Sequence, residues 1–376
     1  MKKIKMIHIQ LLPILSGVQN MMLMLLSGLP SENYEIIVIS RGGGELVDKI
    51  IQNGWKHIEL NSLVRPLSIK DLKASWNLYK IFKKEKPDIV HTHSSKPGFL
   101  GRIIAKIAGV KLIIHTVHAF PFHQYQPAII RFFYILLESF AAFFADYNIF
   151  VNRTEKELAI HKLNFNKKKA LTIHNGINVY EQQKKYDDNI INDNTLKIVS
   201  VSRFSKPKNV ISTIEQAVKV VKKHDNVTFT FIGDGEYFEE CKNIVINNQV
   251  ENKIFLLGWQ YNIPERLLLY DLFLLNSLWE GLSIAILEAM SVGLPIICSN
   301  IKGNYELVSS SNGWLIEPYD LNAIDNVVSE ILNDKSILIK KGDESIKKVT
   351  NQFSFELFIS EYERIYNKIS NPNEEN

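Results

Sequence analysis

Short apolar, β-branched runs alternate with longer helical patterns along almost the whole chain, and that order admits few architectures. A strand followed by a helix and another strand closes most readily as a parallel βαβ unit, so the pattern predicts parallel sheets covered by helices. In the first half strands are expected near Ile4–Leu11, Glu35–Ser40, Ile89–His93, Lys111–Thr116, Asn148–Val151 and Ala170–Ile173. A polar, turn-rich stretch from Asn178 to Thr195 then interrupts the alternation and reads as a linker. The pattern resumes near Lys197–Ser202, Thr228–Ile232, Lys253–Leu257, Asp271–Leu275, Pro295–Cys298 and Gly313–Ile316, and helical segments follow from Leu321 to about Val349 and from Phe353 to Ile369. A chain of 376 residues accommodates two such α/β domains, each large enough to bury a full core. The expected division is 1–177, a linker over 178–196, 197–350, and a closing helix over 351–370, with a frayed tail beyond it.

Composition narrows the class. With 46% hydrophobic and 22% charged residues the chain reads as a globular enzyme rather than a disordered segment. Cys241 and Cys298, far apart and without metal-type spacing, read as buried reduced thiols, and the start of the chain lacks a signal's apolar core, so a cytoplasmic location is expected. The most hydrophobic stretch, Ala128 to Ala145, contains Arg131, Glu138 and Ser139 and is expected as a packed helix rather than a membrane span. A formal charge of +4 is mild, but lysines cluster at Lys83-Lys84, Lys167-Lys168-Lys169 and Lys184-Lys185. Such clusters usually form solvated faces, and they also suit an anionic membrane surface; no nucleic-acid motif accompanies them.

The stretch from Ser277 to Met290 carries the most chemical information. A strand stops at Leu275, a turn containing Gly281 follows, and a helix begins near Ser283, so the turn's amides and the helix N-terminus are expected to face outward as an anion site. Glu280 on the turn and Glu288 in the helix add two carboxylates that accept hydroxyl hydrogen bonds. Glutamates eight apart are common, and taken alone they read as a cap and a solvated helix residue. The segment nevertheless resembles the Glu-x7-Glu motif of retaining glycosyltransferases of family 4. That resemblance implies a GT-B fold, with two Rossmann-like domains facing across a cleft, an acceptor-side first domain, a donor-binding second domain and a last helix that crosses back to the first. It also implies that Glu280 contacts the donor sugar, Glu288 the nucleotide ribose, and the amides of Gly281, Leu282 and Ser283 the sugar and phosphate.

Further segments extend the resemblance over most of the chain. Arg203 and Lys208, in Ser202-Arg203-Phe204-Ser205-Lys206-Pro207-Lys208-Asn209, match the Arg and Lys that neutralise the leaving diphosphate in that family, with Ser202 and Asn209 where glycines are usual. Lys206 competes less well for the lysine's role, and Asn209 tolerates the left-handed conformation that a glycine would adopt. The first strand-to-helix loop, Pro13 to Asn20, resembles the family's glycine loop but keeps one glycine, Gly17, where two are usual. His118 matches the family's active-site histidine, implied to hydrogen-bond the donor sugar, with Ala119 in the following Gly position. His93 and Lys96 are acceptor-side candidates, and His91 and His123 read as structural or acceptor-side. Gly258 and Trp259 match the loop that reads the nucleobase. Asn175-Gly176-Ile177-Asn178, Gly233-Asp234-Gly235-Glu236 and the Gly303 to Glu306 element complete the match, the last with a structural role.

Four histidines at the ends of two strands raise the thought of zinc, but no Cys, acidic ligand or Asp-x-Asp motif joins them, so no metal and no cofactor is expected. The resemblance implies transfer of a hexose or N-acetylhexosamine from a nucleoside diphosphate sugar, UDP foremost, to a hydroxyl of a glycan or lipid-linked glycan acceptor in surface polysaccharide synthesis. The competing readings are another GT-B enzyme, such as a sugar-nucleotide epimerase, and a non-catalytic sugar-nucleotide-binding scaffold, the latter prompted by the replaced glycines at 202, 119 and 209.

Overall fold

The computed structural model describes residues 3–63, 70–122, 126–184 and 195–369. His123, most of the expected linker and the tail beyond 369 lie outside these residues. The chain forms two compact units, one made of Met1–Gly176 with Glu356–Asn376 and the other of Ile177–Phe355.

Unit 1 is built on seven strands: β1 (Ile4–Ile9), β2 (Tyr34–Ser40), β3 (Lys56–Glu59), β4 (Ile89–His93), β5 (Leu112–Val117), β6 (Tyr147–Phe150) and β7 (Ala170–Thr172). They pair in parallel in the order β3-β2-β1-β4-β5-β6-β7. Unit 2 repeats the design with β8 (Leu196–Val201), β9 (Val227–Ile232), β10 (Ile254–Leu256), β11 (Leu272–Leu275), β12 (Ile296–Ser299) and β13 (Gly313–Ile316), in the order β10-β9-β8-β11-β12-β13. Central strands such as β4, β5, β11 and β12 are buried throughout because helices cover both faces of a parallel sheet. Each sheet reverses its winding once, between β1 and β4 and between β8 and β11, and ligands of such sheets gather beyond the strand ends at that point.

Every expected strand forms, and β3 is added to them. The helical run expected from Leu321 breaks in two, Ala323–Asn333 and Ser336–Gln352, because Asp334 is extended at φ −147 and its Oδ1 accepts the Ser336 amide at 3.0 Å. The last helix, Phe355–Tyr366, seals unit 1: the Tyr366 hydroxyl lies 2.7 Å from His91 Nδ1, and the Tyr362 hydroxyl 3.0 Å from Thr116 Oγ1.

The helix Ala128–Ala142 forms where a packed helix is expected, and it packs through one side only. One side holds Glu138, which forms a 2.8 Å ion pair with the fully buried Arg102; the rest of that guanidinium donates to Gly98 O at 2.7 Å and Asn148 Oδ1 at 3.2 Å. The opposite side is exposed. No helix among the described residues is long and apolar enough to cross a membrane.

Candidate functional site

In unit 2 the loops that follow β8 and β11 are fastened to each other. Phe204, 1% exposed, anchors the first loop in the core, and Leu278 N donates to Pro207 O at 2.7 Å across the two. Glycines make the fit possible. A Cβ on Gly233 would stand 1.9 Å from Ser202 O, and Gly233 takes φ +134, a region open to few other residues. Asn209 takes the left-handed φ 52, ψ 32 anticipated for a residue in a glycine's place. The two loops together present Lys208 and Glu280, whose Nζ and Oε1 form an ion pair, while Ser277 Oγ donates to the same Oε1 at 2.7 Å. Ser277 is held in turn through its carbonyl, which accepts from Ser299 Oγ at 2.6 Å, and Asn304 Nδ2 donates to Ser299 O at 3.0 Å.

Arg203, on the loop after β8, is exposed and has no ion pair among the described residues. Lys206 is also exposed and donates only its backbone amide, to Glu236 Oε1 at 3.4 Å. Ser283 caps the helix Ile284–Ser291 by accepting the Ile286 amide at 3.4 Å. Gly281, Leu282 and Ser283 are buried. Leu282 fills the core at 6% exposure, and Gly303, at φ +90, lies against Gly281 O so closely that a Cβ would approach to 1.9 Å. Glu288 sits half-buried one helical turn further on, and burial lifts its carboxyl to about 7. Gly258, at φ +66, turns the loop after β10 so that Trp259 and Tyr261 stand exposed, two flat faces suited to a base.

Unit 1 gathers a different kind of chemistry. His118 Nε2 lies 3.2 Å from His93 Nδ1, and His93 Nε2 lies 3.0 Å from His8 Nδ1. His8 was not a candidate; the only hint was a polar side chain inside the apolar first strand, and its neighbour in register is His91 on β4. Burial holds His8 at about 3, His118 at about 4 and His93 well below the ordinary imidazole range, so the chain is neutral at physiological pH. A neutral imidazole has one donor and one acceptor, which makes the chain directional. His8 Nε2 is buried without a partner, and a buried lone pair is tolerated better than a buried N–H. The protons are therefore assigned to Nδ1 of all three rings, which leaves His118 Nδ1–H as a donor at the end of the chain.

His8, His91 and His93 offer nitrogens within 4.8 Å of one another, the one such group of potential metal ligands among the described residues. Most of those nitrogens are committed: His91 contacts Tyr366 through Nδ1 and Thr116 Oγ1 through Nε2 at 2.8 Å, and a cation there would have to break these bonds and the His8–His93 bond. Lys96 is also committed, in a 2.6 Å ion pair with Asp71. Gly17 opens the helix Gly17–Gly28 in an exposed position.

Comparison with known proteins agrees with this geometry. Residues 15–181 match the family described as Glycosyltransferase Family 4, and residues 181–351 match Glycosyl transferases group 1. The chain is 36% identical to the UDP-Gal:alpha-D-GlcNAc-diphosphoundecaprenol alpha-1,3-galactosyltransferase of Escherichia coli, over 97% of each chain. It is 27% identical to the capsular polysaccharide biosynthesis glycosyltransferase CapM of Staphylococcus aureus, over 90% of this chain and 91% of that one. Among solved structures, Anabaena HepE in complex with UDP and glucose superposes with a TM-score of 0.82 at 17% identity, covering 96% of this chain and 99% of that one, which shows a shared GT-B fold. The chain belongs to the family-4, group-1 glycosyltransferases.

Proposed function

We propose that the protein transfers a hexose or N-acetylhexosamine, with galactose the first donor sugar to test, from UDP to a hydroxyl of a lipid-linked glycan, with retention at the anomeric carbon. The observation that carries this reading is the Lys208–Glu280–Ser277 cluster on the loops that follow β8 and β11, at the winding reversal of unit 2. Lys208 and Arg203 supply positive charge for a departing diphosphate, the group on which charge grows most in the transition state. Glu280 accepts from a sugar hydroxyl once its lysine turns to phosphate, and Glu288 accepts from the ribose. His118 Nδ1–H donates to the sugar without adding a charge. The donor and acceptor classes rest on the name of the Escherichia coli relative.

The test is transfer from UDP-galactose, UDP-glucose and UDP-N-acetylglucosamine to a GlcNAc-diphosphate-lipid acceptor, with the product anomer read by NMR. Absence of transfer from every donor, together with calorimetric binding of UDP, would favour a binding scaffold. Metal independence belongs to the same reading, because cationic side chains take the place of a divalent ion. Activity is expected to survive EDTA; a loss restored by manganese or zinc would reassign the histidine group as ligands.

A further inference from the structure

The outward side of the helix Ala128–Ala142 carries Ile129, Phe132, Phe133, Leu136, Phe140 and, at its end, Phe143, all between 51% and 74% exposed. Their spacing of three and four residues lines them up as one stripe along the helix. A contiguous aromatic stripe of this length is more apolar surface than a soluble monomer ordinarily leaves in water. The helix does not hide it by rolling, because the buried Arg102–Glu138 pair holds the opposite side inward.

The neighbouring surface shows what covers it. The helices Lys70–Glu85, Ser95–Ala108 and Ala128–Ala142 pack side by side, as right-handed crossovers on one face of the first sheet require. The exposed side of Lys70–Glu85 presents Leu72, Lys73, Trp76, Lys80, Lys83 and Lys84, with Lys80 Nζ 5.3 Å from the Trp76 ring centroid. No carboxylate is exposed among the described residues of these three helices. Asp71 pairs with Lys96 at 2.6 Å, Glu85 with Lys56 at 2.9 Å and Glu138 with Arg102. A second copy of the chain would therefore bring lysines against lysines with no acid to answer them. Hydrocarbon beside phosphate answers both halves of the face.

We propose that this face of unit 1 seats on an anionic lipid bilayer, with the aromatic stripe at the acyl boundary and the lysine row at the headgroups. The arrangement is that of an interfacial helix, whose binding grows with buried apolar area and with attraction to acidic lipids. It deepens the transfer reading by naming the surface through which a lipid-linked acceptor is met, and its chemistry stands on unit 1 alone.

The test is co-sedimentation of the full chain, without donor or acceptor, with vesicles of phosphatidylcholine alone and of phosphatidylcholine with phosphatidylglycerol. The protein should pellet with the anionic vesicles and be largely released by about 0.5 M NaCl. Phe132→Ser with Phe140→Ser should lower partition by about tenfold or more. Replacing Lys80, Lys83 and Lys84 by Gln should lower it about fivefold per lysine. Folding of each variant is checked by circular dichroism and its thermal melt. Failure of the wild type to pellet, equal partition of all variants, or a solution dimer that Phe132→Ser dissolves would each overturn the proposal. Transfer to a water-soluble acceptor is measured in parallel. Vesicle binding without transfer sinks the transfer reading alone, and transfer without vesicle binding sinks this inference alone.

Discussion

The two units carry their candidate groups in opposite electrical states. Unit 1 sinks five imidazoles, of His8, His91, His93, His115 and His118, into places where burial keeps them uncharged. Unit 2 leaves Arg203 exposed and holds Lys208 and Glu280 as an ion pair that is 24% and 12% exposed. The difference teaches a division of labour. On the transfer reading proposed above, the charged groups would serve a leaving diphosphate and the neutral directional donor a sugar, which has only hydroxyls to offer.

The largest expected effect comes from acid. The five imidazoles titrate near 6.5 in the unfolded chain and lower in the fold, so their contribution to stability is full above pH 6.5 and is lost as pH falls toward the folded values. Each contributes up to about 1.4 kcal/mol per pH unit in that window. Glu288 runs the other way: its folded value of about 7 lies above the unfolded one, so its contribution is full below 4.5 and is lost as pH rises through 7. Hydrogen exchange followed by mass spectrometry, corrected for intrinsic rates, should show peptides of unit 1 losing several kcal/mol of protection between pH 7.5 and about 5. Peptides around Glu288 should hold or gain. Parallel losses in both units would break the contrast.

Next in size is the catalytic asymmetry. Lys208→Ala and Arg203→Ala should each lower kcat/KM about a hundredfold, as loss of a transition-state charge contact does. His118→Ala, which removes a neutral donor, should lower it by about tenfold. Equal losses on both sides would mean that His118 bears charge during turnover, and the pH profile would then show a titration that the buried chain forbids.

The smallest effect sharpens the comparison within unit 2. Glu288→Gln should raise the donor KM several-fold with kcat within about twofold, because a ribose contact is made equally in ground and transition states. Glu280→Gln should act chiefly on kcat. UDP bound equally well by wild type and Glu288→Gln in titration calorimetry would return Glu288 to an ordinary helix residue.

Both sheets were legible because central parallel strands are continuous apolar runs, and the pattern around Leu272–Leu275 has few other readings. The strand β3 was not legible: Lys56-His57-Ile58-Glu59 has one aliphatic side chain and is a strand only because the edge of β2 is there to pair with it. The Lys208–Glu280 contact joins residues 72 apart, and spacing named both without showing that they touch. His8 escaped for the same reason, since only the β1–β4 register sets it beside His91. The helix Ala128–Ala142 is apolar on every side, so no periodicity marks which side is in; a single ion pair decides it.

That ion pair also separates what the chain must keep from what it can let drift. Losing either Arg102 or Glu138 alone strands a buried charge at a cost of about 3–5 kcal/mol, so the two change together or not at all. The six outward side chains are more than half exposed and can be exchanged among apolar types at little cost to the fold. Homologous chains should therefore preserve where the stripe lies far better than which residues compose it.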